Sequence, residues 1–121
     1  MRVKKTMLNI YHYPRCKISR QVLEKIYKAD TNVEVIEYLK NIPTVKELKV
    51  LLAKLNFKPL QIVRKGETLF KQKFKDKNFS DEEWLQILHE NPILIERPIV
   101  VRNNKAIVCR PPDRLNELIG V

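Results

Sequence analysis

Apolar and polar residues alternate along Leu8-Asn9-Ile10-Tyr11, a two-residue period that predicts a half-buried strand, ending where His12 to Pro14 turns the chain. Beyond it the apolar positions Ile18, Val22, Ile26 and Ala29 recur at helical spacing, with Leu23 widening the stripe, so residues 15–29 read as an amphipathic helix. Asp30-Thr31-Asn32 stops that helix. Val33-Glu34-Val35-Ile36-Glu37-Tyr38, rich in β-branched and aromatic residues, reads as a second strand, parallel to the first if the helix is a crossover.

The period then becomes helical. Thr44-Val45-Lys46-Glu47 fits a capping box and leads into Leu48, Leu51, Leu52 and Leu55 on one face, with Asn56 as the stop. Pro59 restarts the chain, and Leu60-Gln61-Ile62-Val63 reads as a short helical turn ahead of Arg64-Lys65-Gly66-Glu67. A second capping box, Ser80-Asp81-Glu82-Glu83, opens a helix with Trp84, Leu85, Ile87 and Leu88 facing inward, halted by Asn91-Pro92. The lysine-rich residues 70–78 between them carry a weaker pattern. After Arg97-Pro98 the chain turns β-rich again: Ile99-Val100-Val101 and Ala106-Ile107-Val108 flank Asn103-Asn104, a pair suited to a tight hairpin turn because asparagine tolerates positive φ. Pro111-Pro112-Asp113 favours a last helix that buries Leu115, Leu118 and Ile119 and stops at Gly120. The order βαβ, several helices, ββα describes an α/β chain with a helical insertion at about residues 44–90, expected to form one domain over residues 1–121.

Composition narrows the class. A 121-residue chain with 44% hydrophobic residues, 31% charged residues and two glycines suits a folded domain with one core, not a disordered or fibrous protein. Residues 1–6 are basic, but Asn9, His12 and Arg15 interrupt the apolar residues that follow. Neither a signal peptide nor a membrane span is expected, and the cytoplasm is the default location. Two cysteines in that compartment suggest reduced thiols, although the sequence leaves open that Cys16 and Cys109 approach one another. The net charge of +10 suits an anionic partner, yet the lysines are dispersed, without a long basic run or interleaved aromatics. A nucleic-acid-binding module therefore rests on net charge alone and ranks last among the readings.

The chemistry concentrates at Cys16, between the first strand and the first helix. A thiol there meets a helix N-terminus, whose unsatisfied N–H groups and dipole favour the thiolate. Cys109, on a strand, reads as a buried, inert thiol. His89, at a helix end, reads as structural. Neither the two cysteines nor the two histidines stand at ligand spacing, so no metal site is expected.

Four blocks extend the picture: Tyr11-His12-Tyr13-Pro14-Arg15-Cys16 with Ser19-Arg20; Val63-Arg64-Lys65; residues 91–101, which include Arg97-Pro98; and Cys109-Arg110-Pro111. With these motifs in this order, residues 8–119 resemble the glutaredoxin-coupled arsenate reductase family and its relatives, the Spx-type regulators. The resemblance implies a thioredoxin-like fold, with βαβ and ββα halves separated by the helical insertion. It implies that Cys16 is the nucleophile and that Arg64, Arg97 and Arg110 surround an oxyanion. Forked guanidinium donors suit such an anion and would also lower the thiol pKa. The same resemblance places a cis peptide at Pro98. It implies no bound cofactor, with glutathione as cosubstrate, glutaredoxin as protein partner and arsenate as substrate. Under the Spx-like alternative the partner would be the RNA polymerase α subunit, without turnover.

Three supporting residues stay open at this stage. His12 either assists the thiolate and its loop or is structural. Ser19 completes Cys-x-x-Ser, which cannot close an internal disulfide; its hydroxyl either donates to the Cys16 sulfur or only caps the helix. Arg20 either assists the anion site or faces solvent. Tyr13 and Lys17-Ile18 stand where the family commonly carries asparagine and small or hydroxylated residues.

Overall fold

The computed structural model describes residues 7–29 and 31–120. The basic residues 1–6 and the helix-stop position Asp30 lie outside the described residues. The chain divides into two compact units, one formed by the segments ending at Tyr38 and beginning at Arg97, the other by Leu39–Glu96.

The first unit holds β1 (Leu8–His12), α1 (Lys17–Lys28), β2 (Val33–Glu37), β3 (Ile99–Arg102) and β4 (Lys105–Val108). Its sheet runs in the order β2-β1-β3-β4, with β1 parallel to β2 and antiparallel to β3, and β3 antiparallel to β4. The parallel pair follows from the α1 crossover, as expected. Alternation along β1 buries Leu8, Ile10 and His12. Val22 and Ile26 of α1 pack with Leu8, Ile10, Val100 and Ile107 in one apolar cluster. Asn103 takes φ 54° in the β3–β4 turn. The last helical segment starts as a 3-10 turn (Pro112–Leu115) and continues as a short α-helix (Asn116–Ile119), stopped by Gly120 at φ 69°. Leu115 and Leu118 are buried there, and Ile119 is half-buried.

The second unit is helical. It contains α2 (Val45–Leu55), a 3-10 turn (Pro59–Ile62), α3 (Thr68–Lys73), α4 (Asp81–Glu90) and a second 3-10 turn (Pro92–Leu94). Both capping boxes form: Thr44 Oγ accepts from Glu47 N–H at 3.1 Å, and Ser80 Oγ from Glu83 N–H at 3.1 Å. Leu48, Leu51, Leu52 and Leu55 are buried as the spacing requires, and Asn56 ends α2 in the left-handed region. In α4, Trp84, Leu85 and Leu88 are buried while Ile87 is half-buried. The weakly patterned 70–78 stretch includes the end of α3, which buries no residue fully. Phe70 stacks on Trp84 at 6.3 Å between centroids, and Phe74 and Phe79 meet the same indole. Phe70 and Phe74 stand at helical spacing, but α3 ends at Lys73 and Phe79 lies beyond it, so the period runs for a single turn and a periodicity reading leaves the stretch weak. His89 Nδ1 lies 2.7 Å from the Pro43 carbonyl, a structural role as expected.

Candidate active site

The loop between β1 and α1 is a tight turn closed by the Cys16 N–H donating to the Tyr13 carbonyl at 3.0 Å. Cys16 is the N-cap of α1, with extended backbone at φ −90° and ψ 121°, and its carbonyl accepts the first helical hydrogen bond from Arg20 N–H. Its side chain makes no capping hydrogen bond, and the thiol lies at the helix end whose N–H groups have no partner within the helix. Burial acts to raise the Cys16 thiol pKa. The Ser19 N–H, the Arg97 guanidinium and the Ile18 N–H outweigh it, and the net result lies below the ordinary value. The thiol itself is half-buried and unbridged.

Two arginines reach this sulfur from the start of β3 and the end of β4. Arg97, 8% exposed, hydrogen bonds to the sulfur and adds its charge beside it. Arg110 Nη1 donates to the Arg97 carbonyl at 3.0 Å and stands 3.9 Å from Cys16 Sγ, the far end of hydrogen-bonding range for sulfur. Of the two, Arg97 exerts the larger bias on the thiol. The Arg97-Pro98 bond is cis, and the Pro98 carbonyl accepts from Cys109 N–H at 2.9 Å. Arg110-Pro111 is cis as well, a feature read from the sequence only as a helix start. Its signal was the second Arg-Pro pair.

Ser19 is fully buried, and its hydroxyl is turned away from the sulfur. Side chains on a helix lean toward its N-terminus. The Ser19 oxygen therefore reaches back to accept from Tyr13 N–H at 3.1 Å and to meet His12 Nδ1 at 2.6 Å. It is the backbone of Ser19, not the hydroxyl considered from the sequence, that favours the thiolate. His12 is 6% exposed. Burial lowers its pKa, Glu37 on the neighbouring strand raises it, and Arg20 lowers it. The net value lies below the ordinary one, so the imidazole is neutral at pH 7. It orients the loop through Ser19 and brings no charge to the thiolate. Arg20 is exposed and donates from Nη1 to the Pro14 carbonyl at 2.9 Å.

Arg64 lies in the helical unit. Its Nε is 3.3 Å from Glu67 Oε1, its Nη1 is 3.7 Å from Glu96 Oε1, and its N–H donates to the Leu94 carbonyl at 2.7 Å. Cys109 is wholly buried, and burial pushes its thiol up to about 12. Among the described residues no cluster of three or more His, Cys, Asp or Glu is placed to hold a metal ion. Tyr13, which the sequence marked only as standing where the family commonly carries asparagine, has its ring 4.9 Å from Arg97 Cζ. Nothing in the sequence pointed to that contact.

A cysteine at the first strand-to-helix turn of a β2-β1-β3-β4 sheet, with two guanidinium groups beside its sulfur, defines a thioredoxin-like thiol oxidoreductase. Comparison with known proteins names the branch. The model of the ArsC family matches residues 11–118, and the chain belongs to that family. It is 36% identical to the uncharacterised protein YfgD of Escherichia coli K12, across 93% of this chain and 97% of that one. It is 37% identical to an arsenate reductase of Rhizobium meliloti, across 93% of this chain and 81% of the relative. Among solved structures, the arsenate reductase from Vibrio cholerae superposes with a TM-score of 0.89 at 36% identity, covering 94% of this chain and 98% of that one.

Proposed function

We propose that this protein reduces arsenate to arsenite through the Cys16 thiolate, with glutathione as cosubstrate and glutaredoxin as the recycling partner. The observation that carries the reading is one sulfur, biased toward its thiolate, with Arg97 and Arg110 beside it, in a chain whose relatives include arsenate reductases. Guanidinium groups hold tetrahedral oxygens by forked, charge-assisted bonds and draw off negative charge as the nucleophile attacks.

In the proposed sequence the Cys16 sulfur attacks arsenic, an S–As bond forms, and an arsenate oxygen leaves as water after protonation. Glutathione thiolate then attacks the Cys16 sulfur. The S–As electron pair stays on arsenic, which leaves as arsenite, and a Cys16–glutathione disulfide remains. Two electrons have passed to arsenic, and the disulfide records them. Glutaredoxin thiolate attacks the glutathione sulfur of that disulfide and releases the Cys16 thiolate. An outside thiol is needed because Cys-x-x-Ser offers no resolving cysteine and Cys109 is buried.

Arg64 belongs to the proposed oxyanion set by family resemblance alone; within the helical unit its charge is shared between Glu67 and Glu96. No bound cofactor takes part. Among the described residues no helix is long and apolar enough to cross a membrane, and a glutathione-dependent cycle fits the reducing cytoplasm. The arsenate reductase relatives favour this reading over an Spx-like protein bound to polymerase.

The test is arsenate-dependent NADPH consumption with glutathione, glutaredoxin and glutathione reductase present. Wild type is expected to turn over, Cys16→Ser to be inactive, and Arg97→Ala to lose roughly tenfold or more, as fits removal of a hydrogen-bonded charge. Wild-type turnover no faster than Cys16→Ser would defeat the proposal. Capture of the polymerase α subunit would then point to the regulator.

A further inference from the structure

Tyr13 stands three residues before the nucleophile, in the loop that leads into α1. Its ring faces the Arg97 guanidinium, with Cζ 4.9 Å from the centroid. A cation over a ring face is attracted by the aromatic quadrupole, and more strongly where water is largely excluded, as around the 8% exposed Arg97. The ring is itself fixed at its backbone. Tyr13 N–H donates to the buried Ser19 hydroxyl at 3.1 Å, that hydroxyl meets His12 Nδ1 at 2.6 Å, and the Tyr13 carbonyl accepts from Cys16 N–H at 3.0 Å. From the other side, Arg110 pins the Arg97 backbone through its carbonyl. Between these two anchors the Arg97 guanidinium lies over the Tyr13 ring. An arginine left to rotate would spend part of its time turned from the sulfur; stacking removes that freedom before substrate arrives.

We propose that Tyr13 is a positioning residue, whose ring clamps the Arg97 side chain in the pose that presents the guanidinium to the Cys16 sulfur and to the oxyanion the sulfur attacks. The role rests on the reading of Cys16 and Arg97 given above. It acts through Arg97, by the face of the ring and not by the phenol hydroxyl. Phenylalanine would serve equally, and an aliphatic side chain would not.

The test measures Cys16 alkylation by iodoacetamide against pH, without arsenate, in wild type, Tyr13→Phe, Tyr13→Leu, Arg97→Ala and the Tyr13→Leu/Arg97→Ala double variant. Tyr13→Leu is expected to move the midpoint upward and slow alkylation at pH 7 by roughly two- to fivefold, the scale of one cation–π contact. Tyr13→Phe is expected to match wild type. Arg97→Ala is expected to shift at least as far as Tyr13→Leu, and the double variant no farther than Arg97→Ala, because two residues acting through one group are not additive. Tyr13→Met, of similar bulk and without a ring, replaces the leucine variant if melting curves show that the latter has not folded.

The proposal is overturned if Arg97→Ala moves the midpoint while Tyr13→Leu does not, if Tyr13→Phe shifts as far as Tyr13→Leu, or if the double variant adds the two effects. An Arg97→Ala midpoint equal to wild type instead overturns the underlying reading of the site.

Discussion

Around Cys16, burial opposes ionisation, but the N–H groups of Ser19 and Ile18 and the Arg97 guanidinium act directly on the sulfur and prevail. Around Cys109 burial meets no comparable opposition, and the thiol is pushed up to about 12. Iodoacetamide at neutral pH is therefore expected to label one thiol in the folded protein and both in denaturant, read by peptide mass. Labelling of folded Cys109 at the rate of Cys16 would contradict the assignment. His12 supplies a second expectation. Its folded-state pKa lies below the unfolded value near 6.5, so as pH falls the unfolded chain binds the proton first and stability declines toward acid. Thermal melts from about pH 8 to about pH 5 are expected to show Tm falling in wild type, and falling less in His12→Gln. Equal slopes would remove His12 from the account.

Helix α1 joins fold to chemistry, since its N-cap is Cys16, the proposed nucleophile. Serine is among the preferred N-cap residues, so Cys16→Ser is expected to abolish turnover while leaving Tm equal to or above that of wild type. A variant that is inactive because it is unfolded would break that separation. In the helical unit, Ser80→Ala removes a capping-box partner and is expected to cost about 1 kcal/mol by denaturant titration. These elements were legible in the sequence because each carries a local physical signature: alternation in β1, the Val22 and Ile26 stripe, two capping boxes, and Asn103 in the hairpin. The cis bond at Pro98 was legible only through family resemblance, since X-Pro isomer choice is tertiary. What stayed hidden depends on direction in space. No spacing rule tells that the Ser19 hydroxyl turns back to His12 and Tyr13, that Glu67 and Glu96 share Arg64, or that Tyr13 meets an arginine far along the chain.

At the scale of the whole molecule, a net charge of +10 sets up a field that draws small anions toward the protein. The expected consequence is a kcat/KM for arsenate that falls as salt rises, with kcat changing less, because screening weakens encounter more than contact. A salt-independent kcat/KM would confine the electrostatics to the arginines nearest the sulfur. The claim that joins fold, site and family is that Cys16 takes the two-electron oxidation on its own sulfur. Mass spectrometry of the protein incubated with arsenate and glutathione, with glutaredoxin left out, tests it most directly. The expected result is one glutathione in disulfide linkage at Cys16, formed only when arsenate is present and removed by glutaredoxin. An unmodified Cys16, or a disulfide that forms equally without arsenate, would contradict the account.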